Sequence, residues 1–64
     1  MNRITNKQML TIRKLAKQQN FRVEDLCFNA TGGRDNNLKR ITSREASNII
    51  VFLLRNRLEI KKLT

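Results

Sequence analysis

With 64 residues, one cysteine and no histidine, the chain has room for a single domain (1–64) and none for an internal disulfide, and ligand supply excludes a His/Cys zinc site. Fourteen Lys and Arg against five Asp and Glu leave a net charge of +9. That imbalance resists compaction and points to a polyanionic partner rather than a small-molecule substrate.

Catalysis is poorly supplied. Without histidine, Cys27 has no general base that the sequence can name, so the chain is read as a binding module, not an enzyme, with no cofactor and no metal. The longest apolar run, residues 49–54, is far short of the ~20 residues a membrane span needs. The polar start MNRITNKQML carries no signal-peptide pattern. A lone cysteine suits a reducing compartment, and the cytoplasm is the expected location.

In chain order, a first helix is expected to begin at Thr5. Thr5 and Gln8 have capping-box spacing, and Ile4 before the cap can pack on Met9. From there to about Gln19 the residues are good helix formers. Met9, Ile12, Leu15 and Ala16 share one side, with Gln8 and Gln19 beside them. Lys7, Arg13, Lys14 and Lys17 collect on the opposite half. A solvated face would ordinarily mix signs. Here no residue from Met1 to Val23 is acidic, while Arg3, Lys7, Arg13, Lys14, Lys17 and Arg22 are all basic, which reads as an anion-binding surface.

A short second helix is expected over Val23 to Ala30. Glu24 and Asp25 would lie where its dipole favours acids, and Leu26, Cys27 and Ala30 on its buried side. Gly32 or Gly33 ends it. In the connecting segment Leu38 and Ile41 can pin the chain to the core. Thr42 and Glu45 form a second capping box. Ala46, Ile49, Ile50 and Leu53 then follow at helical spacing, in a third helix running to about Leu58 or Ile60. The expected fold is all-α: a compact bundle of a long, a short and a long helix.

Two further basic clusters appear. Arg34, Lys39, Arg40 and Arg44 run from the glycine turn into helix three, where Arg44 opposes the macrodipole. Arg55, Arg57, Lys61 and Lys62 near the end read as caps complementing the dipole. Helix three also carries more apolar surface than one core face uses. Val51, Leu54 and Leu58 form a second stripe and Phe52 points elsewhere. Either the other helices wrap this one, or Val51, Phe52, Leu54, Arg55 and Leu58 make a self-association or partner surface. An acidic peptide with an apolar anchor would suit it.

A helix-turn-helix needs a turn of 3–4 residues. About twelve residues separate helices two and three; the junction of helices one and two, near Asn20 to Arg22, has the right length, but helix two opens with Glu24 and Asp25, which phosphates repel. Gly32-Gly33-Arg34 lacks the phosphate-loop pattern. With Phe21, Phe28 and Phe52 as the only aromatics, base stacking is undersupplied and any nucleic-acid contact runs mainly through phosphates.

The layout Ile4-Thr5, Gln8, Ile12, Leu15-Ala16, Val23, Leu26, Leu38 and Ile41-Thr42-Ser43-Arg44-Glu45-Ala46-Ser47-Asn48-Ile49-Ile50 resembles a small helical module of bacteriophage and mobile-element DNA-metabolism proteins. That module is often appended to single-strand annealing and recombination proteins. A Thr-x-x-Gln start leads one of its helices, and a Leu-Thr-x-x-Glu-Ala-Ser-x-x-Ile segment opens its last. The resemblance covers Ile4 to about Leu53. The chain departs from it in the polar stretch Gly32-Gly33-Arg34-Asp35-Asn36-Asn37, and its 64 residues hold no annealing domain.

The resemblance implies a role beside DNA recombination or replication, with DNA rather than RNA as the nucleic acid. Lys7, Arg13, Lys14 and Lys17 would form the main contact face and Arg34, Lys39, Arg40 and Arg44 a second, with dimerisation or partner docking through helix three. The alternative is a phage-encoded inhibitor or adaptor that seizes an acidic host protein. No single helix sets a clean apolar half against a basic half, so a membrane-surface role is not expected.

Overall fold

The computed structural model describes residues 2–63, and the side chains of residues 2–57. Three α-helices, α1 (Asn6–Gln18), α2 (Val23–Ala30) and α3 (Ser43–Leu63), are joined by two links, the second containing a 3-10 turn at Leu38–Arg40. Among the described residues there is no strand, only an isolated bridge between Arg3 and Thr42. The fold is the expected all-α three-helix bundle.

Both long helices start on capping boxes. The Thr5 hydroxyl accepts the Gln8 N–H at 3.1 Å, and Gln8 Oε1 accepts the Thr5 N–H at 3.0 Å. At α3 the Thr42 hydroxyl accepts the Glu45 N–H at 3.1 Å, and Glu45 Oε1 accepts the Thr42 N–H at 2.9 Å. Each box satisfies two of the donors a helix start leaves without partners.

Helices α1 and α2 end alike. After α2, the Gly33 N–H donates to the Phe28 carbonyl at 2.7 Å and the Gly32 N–H to the Asn29 carbonyl at 3.3 Å. That is the paired Schellman pattern, with Gly32 at φ 65° in the left-handed region. After α1, the Phe21 N–H donates to the Ala16 carbonyl at 2.9 Å and the Asn20 N–H to the Lys17 carbonyl at 3.3 Å. There the left-handed position, φ 61°, is held by Asn20, the non-glycine residue best suited to it. Helix α3 runs beyond the expected end near Leu58 or Ile60 to Leu63. The residues there include good helix formers, with neither Gly nor Pro to stop it.

The chain ahead of α1 lies against the chain ahead of α3. The Ile4 N–H donates to the Ile41 carbonyl at 3.2 Å and the Ser43 N–H to the Asn2 carbonyl at 2.8 Å. α1 and α3 therefore start side by side and run in the same direction. Gln8, near the start of α1, meets Ser43 and Ser47. Gln19, at its end, donates to the Leu53 carbonyl at 2.9 Å and accepts from Asn56 at 2.7 Å. After the short link α2 packs mainly on α3, and the longer link 31–42 brings the chain to the end where α1 begins.

The core is built from Ile12, Leu15 and Ala16 of α1, Leu26 and Cys27 of α2, and Ala46, Ile49 and Leu53 of α3, closed by Ile4, Leu38 and Ile41. Leu38 and Ile41 are 5% and 0% exposed, so the link is pinned as its apolar spacing predicts. Met9, on which Ile4 is expected to pack, sits partly buried against the same cluster.

Candidate nucleic-acid interface

Every cation of the two expected contact clusters is exposed, but they do not form a single patch. Lys7, Lys14 and Lys17 follow one another along the outer side of α1. Arg13 lies one turn before Lys17, on the flank of that row, and borders a polar hollow with Val23, Glu24, Asn36, Asn37 and Leu38. Among the described residues the ion pairs are Arg22–Glu24 and Arg34–Glu45, so no acid neutralises the α1 row.

Lys39, Arg40 and Arg44 stand at the end of the bundle where α1 and α3 begin. The Arg3–Thr42 bridge adds Arg3 to that end, so cations from three separate segments converge there. Both α1 and α3 also place a cation at the second residue, Lys7 and Arg44. α1 has no acid in its first turn. Cations at these positions oppose the macrodipole and repel one another, and a bound anion relieves both costs.

Arg34 behaves differently from the rest of its cluster. Its Nη2 donates to both carboxylate oxygens of Glu45, at 2.7 and 2.9 Å. Glu45 is also the capping residue of α3, and the Thr42 backbone N–H, aided by the Arg34 charge, holds its carboxyl below the usual range despite partial burial. Arg34 thus fastens the glycine turn to the start of α3, and its charge is already answered.

Leu10 escaped the sequence reading. Among the described residues it is the most exposed of the large apolar side chains, at 68%, one helical turn from Lys7, Arg13 and Lys14. Its signal in the sequence is an apolar residue out of phase with Met9, Ile12 and Ala16.

On the other expected surface, Val51, Phe52, Leu54 and Arg55 are exposed, while the side chains of Leu58, Lys61 and Lys62 lie outside the described residues. Phe52 packs edge-on against Phe21, with ring centroids 5.7 Å apart and planes at 63°. Beside it, Leu26, Asn29, Ala30, Asn48 and Ile49 line an open groove of about 220 Å³.

Cys27 is fully buried. Burial first, and then the negative charges of Asp35, Glu24 and Glu45, push its thiol up, away from the reactive thiolate. Among the described residues no cluster of His, Cys, Asp and Glu could hold a metal ion, and no helix is long and apolar enough to cross a membrane. No family model, curated protein or solved structure matches the chain.

Proposed function

We propose that this protein binds DNA through its phosphates, as an accessory to phage or mobile-element recombination or replication. One observation carries the reading: two parallel helices start together at an end lined by Arg3, Lys39, Arg40 and Arg44, and the acid-free row Lys7, Lys14 and Lys17 leads away from it. A backbone of regularly spaced phosphates is the ligand that such an end and such a row answer jointly. The choice of DNA and of recombination rests on the sequence resemblance.

Arg34 takes no part in this contact because Glu45 holds it, and Arg13 is set aside because it borders the hollow that holds Glu24. Six of the eight expected cations remain, Lys7, Lys14, Lys17, Lys39, Arg40 and Arg44, and Arg3 joins them as a seventh. The test is fluorescence anisotropy with labelled DNA on single alanine variants. Lys14→Ala and Arg40→Ala should each weaken binding uniformly across sequences and reduce the salt slope by roughly one. Arg34→Ala should leave the slope unchanged. Equal effects from all three would contradict this division of the cations.

A further inference from the structure

Ala46, Ile49 and Leu53 give α3 its buried side, and the helix is apolar again on the side it shows to solvent. Val51, Phe52 and Leu54 are 47%, 49% and 45% exposed. Val51 and Leu54 are nearly one turn apart and share a side. Phe52, steadied by Phe21, forms a wall of the groove between α2 and α3. Arg55 lies one turn beyond both Val51 and Phe52, between the two apolar sides. Arg44 heads the same ridge, one turn before Asn48. Both arginines are exposed, and neither has an acidic partner among the described residues.

Size and charge together select the occupant. At about 220 Å³ the groove falls below the ~300–1,000 Å³ of small-molecule sites, but it admits one apolar side chain. A second copy would bring four arginines, Arg44 and Arg55 from each chain, onto one surface between two chains that each carry +9. Phosphates gain nothing from an apolar floor. An acidic segment with an apolar stripe satisfies both the exposed side chains and the arginines between them.

We propose that this face of α3 docks an acidic amphipathic helix of a partner protein, with one apolar anchor in the groove beside Phe52, others on Val51 and Leu54, and carboxylates on Arg44 and Arg55. The surface stands apart from the phosphate-binding row on α1 and shares only Arg44 with the cationic end. The two readings therefore fail separately.

The probe is a labelled synthetic peptide of about five helical turns, ~18 residues, with leucines at i, i+3, i+4 and i+7 repeats and glutamates elsewhere. Its control is a shuffled peptide of identical composition. The striped peptide should bind the full chain with a Kd in the micromolar range, about tenfold or more tighter than the shuffled one. Val51→Glu and Arg55→Glu should each weaken it about tenfold while leaving the circular dichroism and the salt slope on DNA unchanged. Ala30→Leu, which fills the groove, should weaken it without adding charge. Equal binding of the two peptides would overturn the proposal, since charge alone would then be responsible. So would a concentration-dependent dimer abolished by Val51→Glu, which would assign the face to a second copy.

Discussion

Replacing Gln8 by alanine tests the joint on which the proposed interface is built. All four hydrogen-bonding positions of this side chain are in use. Oε1 accepts from the Thr5 N–H at 3.0 Å and from the Ser43 hydroxyl at 3.1 Å, and Nε2 donates to the Ser43 carbonyl at 3.1 Å and to the Ser47 hydroxyl at 3.3 Å. Gln8→Ala removes one arm of the capping box and three bonds between α1 and α3. Each part-buried bond is worth about 1 kcal/mol net and the exposed one to Ser47 less, so the loss should be about 2–3 kcal/mol. A chain of this size has only about 3–10 kcal/mol in total, and the melting temperature should fall by about 10–20 °C. Thr5→Ala, which loses the cap without the bonds between helices, should cost about 1 kcal/mol. Gln8→Glu keeps the acceptor and places a negative charge in the first turn, so it should fall between the two. Thermal and urea unfolding followed by circular dichroism give all three values. If Gln8→Ala proves no more damaging than Thr5→Ala, Gln8 is a local cap and not the clamp between the two helix starts.

Asn20→Ala should destabilise by about 1 kcal/mol, because a Cβ-bearing residue without a local hydrogen-bonding side chain meets the full left-handed penalty. Asn20→Gly in the same unfolding assay should be neutral or stabilising. The Glu45 carboxyl titrates below its unfolded value. Its contribution is therefore present above the unfolded carboxylate range and is lost as pH falls through the lower, folded value. Glu45→Gln should flatten that part of the stability–pH profile, measured as urea midpoints across the acid range. Cys27, buried and with its thiol pushed up, should react with alkylating reagents only as fast as the bundle opens. The labelling rate should rise with urea in step with global unfolding, and rapid labelling of the native chain would contradict the packing around α2.

Local features were legible in the sequence because their chemistry is local. Two Thr-x-x-Gln/Glu boxes and the acids of α2 fixed the helix starts, and the Gly pair marked the end of α2. Asn20 is a weaker signal than the Gly pair, because asparagine takes the left-handed position at a helix end less often than glycine and is common elsewhere. Arg34 looked like one more free cation. Its partner Glu45 is eleven residues away, and only the turn at Gly32 and Gly33 brings the two together. The convergence of Arg3 with Lys39, Arg40 and Arg44 depends on residues 2–4 pairing with 41–43, a contact with no periodicity to announce it. Leu10 was passed over because counting apolar residues at helical spacing finds the core and ignores what lies out of phase. In α3 helical spacing already sets Leu53 on the core stripe and Val51, Phe52 and Leu54 off it, but whether those three are wrapped or left exposed depends on where α1 and α2 lie.

The central claim, that the cations of α1 and of the shared helix start engage phosphates, is tested most directly by the salt dependence of DNA affinity. With these seven cations engaged, a log–log plot of the association constant against salt should have a slope of about −6 on duplex and about −5 on single strands. A slope of about −1 or shallower, or no binding at physiological salt, would contradict the account and leave the positive charge to an acidic protein partner.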